Sequence, residues 1–128
     1  MVNPFSIGFV AVFEEPLGEV LLRYIVDLWL ERYEGLEQVL ERDVATTRVG
    51  GAGEVRWEKN LQFRVLNGDE FAWVYVTQDS RVMETTGMPG GGEASLCLEL
   101  LVDLPGLKEV VADHDEARLS ELEGEGLL

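Results

Sequence analysis

Histidine and cysteine are almost absent from this chain, with one of each, His114 and Cys97, in 128 residues. A lone cysteine excludes an intramolecular disulfide and a cysteine-built metal cluster, and it fits a reducing compartment. With one histidine, a Ser/His/Asp relay has only His114 to use, and no serine stands in a G-x-S-x-G frame. Asp113, Asp115 and Glu116 beside it supply oxygen atoms but no second His or Cys within helical reach, so this cluster reads as a solvated helix face. Basic residues are scarce as well: ten Lys and Arg stand against 25 Asp and Glu, for a formal charge of -15. That sign repels phosphate backbones and anionic lipid heads, which disfavours direct binding to nucleic acid or to a membrane surface. Long uncharged apolar runs are missing too, because Glu19, Arg23 and Asp27 interrupt the most apolar helical stretch and exclude a span of about 20 residues. The opening MVNPFSIGFVAVFEEP lacks the basic start and the cleavage site of a signal peptide. A soluble cytoplasmic domain is the expectation. Gly90-Gly91-Gly92 lacks the Gly-Lys-Ser/Thr ending of a phosphate loop, so no catalytic, metal or cofactor constellation emerges.

What is present is enough to fold. Apolar residues make up 46% and charged residues 27% of the chain, and a domain of this length buries about two-thirds of its unfolded surface. Residues 1–128 read as one α+β domain. Phe5, Ile7, Phe9 and Ala11 alternate with residues that are themselves mostly apolar, the pattern of an interior strand. Pro16 is suited to the first turn of a helix running to about Tyr33. Its stripe Leu17, Val20, Leu21, Tyr24, Ile25, Leu28 and Trp29 recurs at helical spacing and predicts the sheet-facing side. Leu36–Arg42 continues as a further turn or two after Gly35. Asp27, Glu31, Glu34 and Glu41 then form an ordinary charged helix face.

From Glu54 to Leu66 apolar and polar residues alternate. A two-residue Asn67-Gly68 turn would pair Phe63 with Ala72, whereas a three-residue loop would pair Phe63 with Phe71 and Leu61 with Trp73. The second gathers Trp57, Phe63, Phe71, Trp73 and Tyr75 on one buried face, and it is the register preferred here. Arg81–Thr86 is the next strand. Beyond the glycine run, Leu96 to Leu104 fits both periods, and its wealth of leucine with a single β-branched residue tips it to helix. Leu107, Val110, Val111, Leu119 and Leu122 suggest a last helix, with residues from about 122 to 128 fraying. The predicted architecture is an antiparallel sheet of about five strands packed by one long N-terminal amphipathic helix, with one or two shorter C-terminal helices.

Two stretches carry a resemblance. Phe9-Val-Ala-Val-Phe-Glu-Glu-Pro-Leu17, running into a helix with Trp29 and Tyr33, and Phe71-Ala-Trp-Val-Tyr-Val-Thr-Gln-Asp79, leading to Glu84-Thr85-Thr86, resemble the N-terminal half of a sporadically distributed bacterial family of conserved proteins of uncharacterised activity. The likeness covers most of residues 5–86. It implies a helix over 93–104, and it brings no catalytic residue with it. Members of that family are about twice as long and place an aromatic where this chain has its glycine loop.

Missing chemistry and strong charge together point to a non-enzymatic protein-binding module, of the inhibitor, antitoxin or immunity type, with a basic partner. The alternative is a small-molecule or enzymatic pocket between helix and sheet lined by Trp57, Trp73 and Tyr75. A second apolar set on the long helix, Leu22, Val26, Leu30 and Tyr33, predicts a twofold homodimer, since it would otherwise lie in water.

Overall fold

The computed structural model describes residues 7–47, 55–66, 71–77, 80–87, 93–112 and 114–127. The elements are β1 (Ile7–Phe13), α1 (Glu19–Arg32), β2 (Leu36–Thr47), β3 (Val55–Val65), β4 (Phe71–Thr77), β5 (Val82–Gly87), α2 (Glu93–Leu101), β6 (Leu107–Ala112) and α3 (Glu116–Gly124). The six strands form one antiparallel sheet in the order β2-β3-β4-β5-β1-β6. The class is α+β as expected, with, among the described residues, six strands in place of about five and two short helices after the long one. None of the described helices is long and apolar enough to cross a membrane. The Asn67-Gly68 turn, Gln78-Asp79 and the Gly90-Gly91-Gly92 run lie outside the described residues.

β1 is paired on both sides, by β5 and β6, and is covered on both faces. Ala11 and Phe13 face the layer formed by α1 and α2, while Val10 and Val12 join Val82, Val111 and Leu122 of α3 beneath the sheet. This is why its two sides are both apolar: alternation has no solvent face to serve.

α1 starts later than the proline suggested. Leu17 is fully buried and its N–H bonds Ser80 O at 2.7 Å, which holds the chain extended through Gly18, the N-cap. The helix then buries Leu22, Ile25, Val26 and Trp29, a stripe at i, i+3, i+4, i+7 that takes members from both apolar sets seen in the sequence. Val20 and Tyr24, expected against the sheet, are exposed.

Two expected helical segments are strands, for one shared reason. Leu36–Arg42 belongs to β2 and Leu107–Ala112 to β6. β2 carries an extra residue between Gln38 and Leu40, and β6 carries one opposite the Val12–Phe13 step, where Phe13 pairs Leu107 and Val12 pairs Glu109. A bulge shifts the side-chain alternation by one. Leu107 and Val110, three apart, therefore both reach the same core, and a strand acquires the spacing of a helix. Gly35, at φ 81, turns the chain from α1 into β2.

The β3–β4 register is that of the two-residue loop, with Phe63 opposite Ala72 and Leu61 opposite Val74. Under α1 and α2 the sheet presents small residues on β4, Ala72, Val74 and Val76. The volume above them is filled by Trp29 and Phe63, whose rings meet edge to face at 5.3 Å and 86°. A close-packed layer has no room for a second set of aromatics there, and Phe71, Trp73 and Tyr75 go to the opposite face.

Trp29 also joins the helices. The last carbonyls of a helix lack intrahelical partners, and α1 with its C-cap Tyr33 supplies donors to carbonyls at and just beyond the end of α2. Trp29 Nε1 donates to Leu100 O at 2.7 Å, the Tyr33 hydroxyl donates to Glu99 O, and Arg32 Nη1 donates to Val102 O at 3.1 Å. Asp103 follows at φ 58, closing the turn.

α3 is tied at both ends. Asp115 caps it by accepting from Arg118 N, the role this carboxylate takes in the acidic cluster around exposed His114. At the far end Gly126 is left-handed, with Gly126 N donating to Glu123 O and Leu127 N to Leu122 O, the pattern of a Schellman motif. Leu122 is fully buried and Leu127 packs beside it, and α3 extends past Glu121 to Gly124. Arg118 bridges Glu109 of β6 and Glu121, and its guanidinium holds the Glu109 carboxyl below the usual carboxylate range.

Two predictions follow from these ties. Trp29→Phe keeps a ring against Phe63 but leaves Leu100 O buried without its donor, and a lower urea midpoint equivalent to about 1–3 kcal/mol is expected. A depressed carboxylate stabilises the fold above its unfolded pKa, and that contribution is lost as pH falls through the folded value. Arg118→Met is therefore expected to lower the midpoint at pH 7, and the gap from the parent protein closes in acid, below the usual carboxylate range.

Candidate functional site

The lower face of the sheet is covered unevenly. α3 shields Val10, Val12, Val82 and Val111, at the β5-β1-β6 end. At the β3-β4 end, Phe71, Trp73 and Tyr75 are half-buried and belong to neither hydrophobic cluster. Residues directly opposite on neighbouring strands share a face, with Cβ atoms about 4.5–5.5 Å apart. Register therefore lays out rows. Asn60 lies opposite Tyr75 and Tyr75 opposite Glu84, while Gln62 lies opposite Trp73 and Trp73 opposite Thr86.

The first row combines three features that a cation seeks. Asn60 Oδ1 is buried without a hydrogen-bond partner. The Tyr75 ring stands next to it, and the carboxylate of exposed Glu84 follows. An amide oxygen, an aromatic face and a carboxylate in line match a guanidinium or ammonium group, which donates hydrogen bonds at its edge and attracts a ring over its face. Arg42, opposite Asn60 on the edge strand, bounds the row. Arg64 lies further along β3, tied to Glu37 at 2.7 Å.

The sequence-derived candidates are dispersed. Trp73 and Tyr75 are neighbours on the face away from α1, so they line no pocket between helix and sheet; Trp57 is in β3, outside the residues whose side chains are described. Of the set Leu22, Val26, Leu30 and Tyr33, the first two are core residues at 3% and 2% exposure, and Tyr33 packs against the same core. Leu30 is exposed and Tyr33 half-buried, so Leu22 and Val26, on which self-association was expected to centre, belong to the chain's own core. Glu41, placed on the helix face by sequence, is in β2. Asn60 and Glu84 were not singled out, although the two-residue register pairs Asn60 with Tyr75 directly. Among the described residues no three His, Cys, Asp or Glu side chains gather as metal ligands.

No family model, curated protein or solved structure matches the chain.

A buried polar atom kept without a partner costs the fold stability, and its replacement reports that cost. Asn60→Val removes an unsatisfied buried oxygen from a strand and adds a residue that suits one, and thermal or urea unfolding is expected to report a gain of about 1 kcal/mol.

Proposed function

We propose that this protein is a non-enzymatic, cytoplasmic binding module that holds an exposed arginine or lysine of a basic protein partner on the lower face of its sheet. The observation that carries this reading is the Asn60–Tyr75–Glu84 row, with its buried, unpartnered amide oxygen. Trp73 beside it supplies a second large, stiff ring, the kind of residue that dominates interface energetics. The formal charge of -15 acts at longer range, raising the rate of encounter with a basic partner and falling off with salt. A protein of the inhibitor, antitoxin or immunity type would act from this face by occluding a basic surface of its partner.

A hexa-arginine peptide separates the row from bulk charge. Tight binding at about 0.15 M salt, where charges further apart than roughly 8 Å are screened, is expected to quench or shift Trp73 fluorescence and to move the Asn60 side-chain amide signals. Tyr75→Ala leaves net charge unchanged and is expected to weaken binding about tenfold, in line with a desolvated cation–π contact of roughly 2 kcal/mol. Equal affinity in the parent and Tyr75→Ala proteins would mean that the peptide reads only the overall charge, and the proposed face would be abandoned.

A further inference from the structure

On the opposite side of the sheet, α1 does not close fully onto β2 and β3. A half-open cleft of about 360 Å³ lies between them, lined by Glu19, Val20, Leu22, Arg23, Val26, Glu41, Lys59 and Leu61. It stands independently of the aromatic row. Its floor is apolar, since Leu22, Val26 and Leu61 are all buried, and exposed Val20 extends that surface to the mouth. Its volume falls at the lower end of the range for small-molecule sites, which are mostly apolar with a few convergent polar groups.

The two cations of the lining converge on one carboxylate. Glu41 accepts from Arg23 Nη2 at 3.3 Å on each oxygen, from Lys59 Nζ at 3.2 Å and from Gln38 Nε2 at 3.1 Å. Burial raises the Glu41 pKa, but the Lys59 and Gln38 hydrogen bonds and the two cations outweigh it, and the net shift is downward. Lys59 is the more enclosed cation, its side chain only 12% exposed, against 55% for Arg23. In a chain with ten basic residues, two of them meet over one apolar floor. Arg23 meets Glu41 through Nη2 alone, and among the described residues its Nε and Nη1 make no further hydrogen bond, which leaves one edge of the fork for another acid.

We propose that this cleft binds a small amphipathic carboxylic acid, its head on Arg23 and Lys59 beside or in place of Glu41, its short tail on Leu22, Val26 and Leu61. Glu41 holds the same cations in the free protein and acts as an internal competitor. The arrangement predicts an unusual sign: deleting a carboxylate from the lining strengthens binding.

The test is a titration of methyl-labelled protein with octanoate at about 0.15 M salt, which screens the chain's overall negative field beyond roughly 8 Å. Octylammonium and octyl glucoside serve as matched tails with other heads. Octanoate is expected to shift the methyl signals of Leu22, Val26 and Leu61 saturably and to bind more tightly than either control. Arg23→Gln, at an exposed position whose loss leaves the core intact, is expected to weaken octanoate roughly tenfold or more, and Glu41→Gln to tighten it several-fold. Absence of saturation, a preference for octylammonium, equal binding of all three tails, or an unchanged affinity in Arg23→Gln would each overturn the assignment. So would weaker binding in Glu41→Gln with its methyl spectrum otherwise preserved.

Discussion

The hydrogen bond from Trp29 Nε1 to Leu100 O is the constraint around which the upper layer is arranged. A buried carbonyl at a helix end must find a donor, and an indole ring can bring one only if its body is buried as well. Placing Trp29 beneath α2 fixes the rotation of α1, and with it the stripe Leu22, Ile25, Val26 and Trp29 that meets the sheet. The same ring fills the space over Phe63, which obliges β4 to turn its small residues upward and its aromatics down. The row formed by Asn60, Tyr75 and Glu84 is thus a consequence, two steps removed, of how α2 ends.

Much of this was legible in the sequence, and what was not has a specific cause. β1 announced itself as interior because both its faces are apolar, and α2 was read from leucine content against a competing strand pattern. The strand content was underestimated because periodicity assumes an unbroken pleat. One extra residue in β2 and one in β6 turn a period of two into an apparent three-and-four, and nothing in Leu36, Val39, Leu40 or in Leu107, Val110, Val111 distinguishes the two. The hairpin register failed differently. Collecting aromatics into the core maximises buried area, yet area is not volume, and Trp29 from a distant segment had already claimed the space. No local pattern reports that claim. For the lower face the consequence was direct, since an altered register hides which polar residues flank Tyr75.

Charge is distributed with more order than the net value suggests. Arg23 and Lys59 share Glu41, Arg64 takes Glu37, and Arg118 takes Glu109 and Glu121. Each of these cations joins two elements: α1 to β2, β3 to β2 and α3 to β6. These four cations hold parts together, while Glu19, Asp27 and Glu31 of α1 and Glu116 and Glu123 of α3 stay exposed. Two opposite faces of one sheet consequently differ in what they offer: a ring and acceptors below, a pair of cations over an apolar floor above.

The position of β1 in the sheet bears on how the chain reaches this state. β1 lies between β5 and β6, with Phe9 opposite both Thr85 and Ala112. It leaves the ribosome before either partner, while β2, β3 and β4 find theirs in the next hairpin along. Contacts this distant in sequence are formed late, because closing the intervening loop is costly until other pairings have shortened it. During synthesis one edge of this apolar strand therefore stays open until residues near 87 have emerged, and the other until residues near 112. In that interval the nascent chain depends on the carboxylates following Phe13, rather than on burial, to keep its first strand apart from others like it.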